Sequence, residues 1–290
     1  MKLLVRHQTV YRYAGAAGRV AMRLKLMPVD TPQQKIWEWR VIVNGDPVTA
    51  FHPNSYGEKE AVWIRHDQLD HAVVVAEGLA ETTETHGVLG WPTGQVDPRY
   101  FLRDTPLTRA SDGIRALAMS VAEQGSPLDR LHALSASVRQ AVSYRAGVTS
   151  TETSAAEAFA LGAGVCQDHA QIFIAGARTL GMPARYVSGY LLAEEGDALH
   201  ETHGWAEALV PDLGWVGFDP SNQVCVTDRY LRVASGLDAD AAAPIRGSVT
   251  LTGDMWIDAD VRIAQAEEGL EERQLQQQQQ QGAPSSMPER

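Results

Sequence analysis

At 290 residues and 31.6 kDa, the chain has room for one large domain or two ordinary ones, with a substantial buried core. Its hydrophobic share of 44% and charged share of 21% are those of a soluble globular protein. A net charge of −11 without any Lys/Arg stripe excludes nonspecific nucleic-acid binding, which needs clustered cations, and mildly favours cationic partners such as amines.

The opening MKLLVRHQTVYRY lacks the apolar core of a signal peptide, and no run of about 18 apolar residues predicts a membrane span. Strands dominate the first hundred residues. KLLVRHQTVYRY, VAMRLKLMPV and WEWRVIVNGDPV alternate with period two, the last ending at an Asn44-Gly45 turn, and EAVWIRH and HAVVVAEGLAETTET continue the pattern. A sandwich-like β domain over 1–100 is expected, closing in the turn-rich WPTGQVDPRYF.

Helices follow. ASDGIRALAMSVAEQG ends at Gly125, SPLDRLHALSASVRQAVSY starts with Ser126 as N-cap and Pro127 at the first helical position, and SAAEAFALG carries a Ser154-x-x-Glu157 capping box. A glycine-rich turn then leads into a helix whose Cys166, Ala170, Phe173, Ile174, Ala177 and Leu180 share one apolar face, closed by Gly181 and Pro183. From Ala184 the period returns to two through ARYVSGYLLA, HGWAEALVP, GWVGFDPSN and VTLTGDMWIDADVRIAQAE. Beyond about residue 268 the polar, Gln-rich tail has too few apolar residues to fold.

Cys166 and Cys225 are too few for a disulfide framework and form no CxxC pair, so free thiols in a reducing cytoplasm are expected. Cys166 opens its helix, where unsatisfied N–H groups and the macrodipole favour a thiolate and could hold an oxyanion. Gly162 and Gly164 give the turn the freedom to present the sulfur. A buried, passive thiol is the plain alternative.

Downstream residues decide the choice. A thiol nucleophile needs a base, usually His, and that His needs an orienting partner. His203 begins one expected strand and Asp219 ends the next. Pairing about a turn near 211–212 sets His203 opposite Asp219 or its neighbour. His200 falls on the opposite face by the period-two rule, and His169, on the cysteine's own helix, cannot converge on the sulfur as a base must. Asp168 reads as an acceptor for backbone N–H groups, and Cys225 as a passive thiol. Tyr144 is a candidate oxyanion donor, with a core aromatic as its plain reading. Gln167 is a candidate substrate contact, and Trp205, sharing a face with His203, a candidate water-excluding wall. The histidines are otherwise scattered, with no HExxH, P-loop or dinucleotide fingerprint, so neither metal nor cofactor is expected.

GVCQDHAQIFIAGARTLGMPARYVSGYL, HGWAEALVPDLGWVGFDPSN and YRAGVTSTETSAAEAF together resemble the core of bacterial transglutaminase-like proteins, a branch of the papain-like cysteine enzymes. HQTVYRYAGAAGRVAMRLKLMPVDTPQQ resembles the β domain that precedes this core in bacteria. The resemblance implies that Cys166, His203 and Asp219 occupy the family's Cys, His and Asp positions. Two departures stand out: HGW, with Gly204, replaces the usual HAW and is expected to loosen the strand beside the base, and Gly236–Gly247 diverges from the family's GRDYxDVxPxxG segment.

The expected architecture is α+β: an N-terminal β-sandwich-like domain (1–100), a papain-like core of helices on an antiparallel sheet (101–267), and a disordered tail (268–290). The expected activity is attack on carboxamide or peptide bonds through a thioacyl intermediate, passed to a primary amine or to water. Two alternatives are a cysteine peptidase or amidase with the same triad, and a non-catalytic protein-binding module. A protein or peptide substrate is expected, with no nucleic acid or membrane partner.

Overall fold

The computed structural model describes residues 1–91, 96–193, 202–250 and 253–266; the Gln-rich tail and His200 lie outside them. The first unit is two antiparallel sheets. One orders the strands Met255–Gln265, Lys2–Ala17, Leu69–Thr82, Gln34–Val43 and Asp46–Pro47; the other orders Ile245–Thr250, Arg19–Met27, Lys59–Arg65 and His52–Pro53. Alternation does what the sequence pattern predicts: Val20, Met22, Leu24 and Leu26 point inward from one sheet, Val41, Val43, Ala72, Val74 and Ala76 from the other, and they form one apolar layer. Asn44 (φ 51°) and Gly45 (φ 88°) both adopt the left-handed conformation that a tight hairpin turn demands.

Two boundaries are corrected: the β domain, expected to run to residue 100, ends before Val88–Gly90, which pairs with Gly214–Asp219 of the second unit. Residues up to 267 are expected in the core, yet Ile245–Thr250 pairs with Arg19–Met27, and Met255–Gln265 pairs with Lys2–Ala17 along Leu3↔Gln265 to Tyr13↔Met255. The chain therefore returns to its first unit and closes an outer edge of both sheets. An unpaired Lys2–Ala17 edge would leave a row of backbone groups open to aggregation.

The second unit sets four helices against a six-stranded antiparallel sheet. The sheet runs Val224–Cys225, Gly214–Asp219, His203–Val210, Ala184–Leu191, Tyr230–Gly236, with Val88–Gly90 joined to Gly214–Asp219. The helices are α1 (Asp112–Ser120), α2 (Pro127–Ala141), α3 (Ala155–Leu161) and α4 (Cys166–Thr179). Ser111, Ser126 and Ser154 cap the first three, the last two through full capping boxes with Asp129 and Glu157. A single apolar face was expected for α4, but every residue from Asp168 to Arg178 is buried. The other helices cover the side that the sheet leaves open, and the polar residues inside are individually bonded: Arg178, for instance, reaches the carbonyls of Phe101, Ala184 and Leu237.

The two units share a buried junction. Leu3, Val5, Ala80 and Val261 of the sandwich pack on Tyr190, Leu231 and Val233 of the core. Beside them Glu58 pairs with Arg232 (3.0 Å), which also pairs with Glu207 (3.0 Å), itself bonded to Arg185 (2.5 Å). His7 bridges the Tyr190 hydroxyl (2.9 Å) and Thr9 (3.0 Å). No helix among the described residues is long and apolar enough to cross a membrane.

Candidate active site

Cys166 is the first residue of α4, and two glycines place it there for different reasons. Gly162 ends α3 at φ 65°, a left-handed conformation suited to glycine. At Gly164 the constraint is space: a Cβ would sit 2.6 Å from Asp168 Oδ2 and 2.7 Å from Asp168 Cβ. Asp168 is fully buried and acts as the expected acceptor. Its Oδ2 accepts from the Val165 N–H (2.8 Å) and the Thr149 hydroxyl (2.7 Å), satisfying a helix-start donor that the Val165 side chain cannot.

The sheet supplies the partners. Ala206 faces Phe218 and Val210 faces Gly214, a register that carries His203 to the level of Ser221, two residues beyond Asp219 and on the same face. That diagonal is bridged by a hydrogen bond in which His203 Nε2 donates to Asp219 Oδ2 at 2.6 Å. Cys166 lies close enough to the same ring to act on its charge. All three expected residues are thus brought together.

Their electrostatics are coupled. Burial by itself lowers the His203 pKa, but hydrogen bonds to Asp219 and Cys166, with the charges on both, outweigh it and raise the value to about 10. Asp219 is the mirror case: burial raises it, yet bonds and charge from His203, with bonds from Tyr230 and Asn222, hold it below the ordinary carboxylate range. Tyr230 donates to Oδ2 at 2.8 Å, Asn222 Nδ2 at 2.7 Å, and the Ser221 N–H to Oδ1 at 3.0 Å. Asn222 is announced by the Asp-Pro-Ser-Asn turn that returns it to its own aspartate. Tyr230 comes from another strand, and nothing local signals it.

Two cavities, of about 850 and 690 Å³, meet at Cys166 and His203. The larger lies toward the sandwich, whose Tyr11, Met22 and Ile257 form part of its wall; the smaller includes Arg139, Tyr144 and Tyr230. The divergent segment also borders the larger cavity through Asp238, Asp240 and Arg246, with Asp240 and Arg246 paired at 3.0 Å.

The remaining candidates divide. Tyr144 is 45% exposed, so it is not a core aromatic; its ring stacks on His169 and borders the smaller cavity. Gln167 borders the larger cavity while its amide donates to the Thr151 carbonyl (3.2 Å). Trp205 is corrected: at 1% exposure it borders neither cavity, and it supports His203 from beneath by ring stacking, with Tyr230 at its edge. His169 is held by the Val165 and Val142 carbonyls (3.0 and 2.8 Å), away from a base's position. Burial pushes the Cys225 thiol pKa up, consistent with a passive role. Gly204 does not loosen its strand. The Tyr186 side chain fills the space, and a Cβ there would overlap its hydroxyl and lie 2.7 Å from its Cζ. Among the described residues no group of His, Cys, Asp and Glu could hold a metal ion.

A cysteine at a helix start, facing a histidine on an adjacent antiparallel sheet, is the arrangement of the papain-like fold. Residues 115–220 match the family model of the transglutaminase-like superfamily, and residues 3–81 that of the bacterial transglutaminase-like N-terminal region. The chain belongs to this superfamily, with the bacterial N-terminal region ahead of its core.

An uncharacterized protein of Mycobacterium leprae is 30% identical over 167 residues, spanning 56% of this chain and 59% of that protein's length. One from Mycobacterium tuberculosis is 26% identical over 288 residues, 89% and 91% of the two chains. The crystal structure of a candidate cysteine protease from Cytophaga hutchinsonii shares the fold with a TM-score of 0.73 at 21% identity, over 92% of this chain and 91% of that one.

Proposed function

We propose that the protein is a transglutaminase-like cysteine enzyme acting on carboxamide or peptide bonds through a thioacyl intermediate. Cys166 Sγ attacks the carbonyl carbon, and the electron pair of the C=O bond moves onto oxygen. Collapse of that adduct expels the amine, which takes its proton from His203, while Asp219 holds the imidazole and stabilises its charge. An amine or a water then releases the acyl group. The observation that carries this reading is that Cys166 and His203 line the same two cavities, with His203 hydrogen-bonded to a buried, multiply bonded Asp219.

Two cavities opening on one sulfur support an acyl donor and an acceptor arriving separately. With water as acceptor the same groups make a cysteine peptidase or amidase, the second reading. The cytoplasm suits both, because the chemistry uses a free thiol. The test is mass spectrometry of Gln-containing peptides with and without a primary amine, comparing wild type with Cys166→Ala. Amine incorporation lost in the variant supports transfer, and cleavage lost in the variant supports hydrolysis. Neither, with an inert thiol, leaves the non-catalytic binding module.

A further inference from the structure

Tyr186 lies in the strand Ala184–Leu191 and is 4% exposed. Its side chain borders the larger cavity together with Cys166, His203 and Gly204. The hydroxyl has no hydrogen-bond partner among the described residues, yet it is not among the polar atoms sealed from solvent. A buried tyrosine ordinarily finds a partner for its O–H. The cavity holding the sulfur is open to that group. Gly204 makes the position possible, since any β-carbon there would occupy the hydroxyl's place.

We propose that the Tyr186 hydroxyl, admitted by Gly204, donates a hydrogen bond to the oxyanion formed when Cys166 attacks a carbonyl. The proposal rests on the cysteine-enzyme reading above and adds a residue to it. As the Sγ–C bond forms, the carbonyl π pair becomes a lone pair on oxygen; Tyr186 O–H donates to it and keeps its proton. When the C=O bond re-forms and the leaving group departs, that proton need is met by His203, so Tyr186 returns unchanged. The Cys166 N–H, in the first turn of α4 where no intrahelical acceptor is available, supplies the other donor. Burial, then the charges of Cys166, Asp168 and Asp219, push the Tyr186 pKa well up, which keeps the hydroxyl protonated and able to donate.

Two probes separate this role from a structural one. p-Nitrophenyl acetate acylates a thiol through a tetrahedral oxyanion; iodoacetamide alkylates it by displacement at an sp³ carbon, with no oxyanion. In Tyr186→Phe, Cys166 acetylation, followed by nitrophenolate release and intact mass, should fall about 100-fold. Alkylation of Cys166 should stay within about twofold of wild type, because a neutral ring contact leaves the Cys–His pair in place. Unchanged acetylation overturns the proposal. So does a parallel fall in both rates, which makes Tyr186 a support for the fold or the sulfur. A wild-type Cys166 inert to both reagents overturns the cysteine-enzyme reading itself, and this proposal with it.

Discussion

At the scale of single residues, His203 and Asp219 show how burial and pairing oppose each other. Burial penalises both charged forms, yet the pair keeps a raised imidazole and a lowered carboxyl because each is the other's nearest counter-charge. Asp219→Asn removes that counter-charge while preserving shape. The His203 titration, followed by imidazole NMR, should fall from about 10 toward its ordinary value near 6.5, and acylation should slow by about 100-fold. An unmoved titration would show that Asp219 does not set the charge of the ring. The raised value also fixes a stability window: the folded pKa exceeds the unfolded one, so the contribution is full below pH 6.5 and is lost as pH rises through about 10. His203 and Asp219 were legible in the sequence because a short turn converts linear spacing into register, and Cys166 because it opens a helix after a glycine-rich turn. Tyr230, Asn222 and Tyr186 were harder. Tyr230 and Tyr186 reach the site from strands whose neighbours in the sheet no local pattern specifies.

At the scale of elements, two glycines are kept by what surrounds them. In Gly164→Ala the new methyl would meet Asp168, whose Oδ2 holds the Val165 N–H, so the start of α4 should loosen. In Gly204→Ala the methyl would meet Tyr186 instead. Each should lose about 1–3 kcal/mol, read from denaturant midpoints. Tyr186→Phe should recover part of the loss in Gly204→Ala and none in Gly164→Ala; equal recovery in both would contradict the packing account. The departure from HAW to HGW was visible in the sequence, but its partner lies on the adjacent strand and was not. The α4 pattern misled for a related reason. Periodicity reports the face rich in large apolar groups, whereas Asp168, His169, Gln171 and Arg178 are buried by virtue of specific bonds that no periodicity records.

At the scale of the whole molecule, the chain begins and ends in the same sandwich. Strand alternation in Ile245–Thr250 and Met255–Gln265 was readable, but alternation does not say which sheet a strand joins. A chain truncated after residue 244 should therefore lose sandwich structure and solubility, seen by near-UV circular dichroism and light scattering. A soluble, native-like product would contradict the pairing. The junction should also be sensitive to acid. Burial lowers the His7 pKa to about 4, so the unfolded chain binds a proton that the folded one refuses between pH 6.5 and about 4. Stability from this group is full above pH 6.5 and declines as pH falls through that window, by up to about 3 kcal/mol. His7→Gln should flatten that part of the profile. All of these features position one thiol, and its reactivity tests the central claim most directly. The measurement is the ratio of iodoacetamide alkylation rates at Cys166 and Cys225 at pH 7, in wild type and in His203→Ala. A Cys166 rate at least tenfold the higher, reduced when the imidazole is removed, is the predicted result; equal rates at the two thiols in the native protein would contradict it.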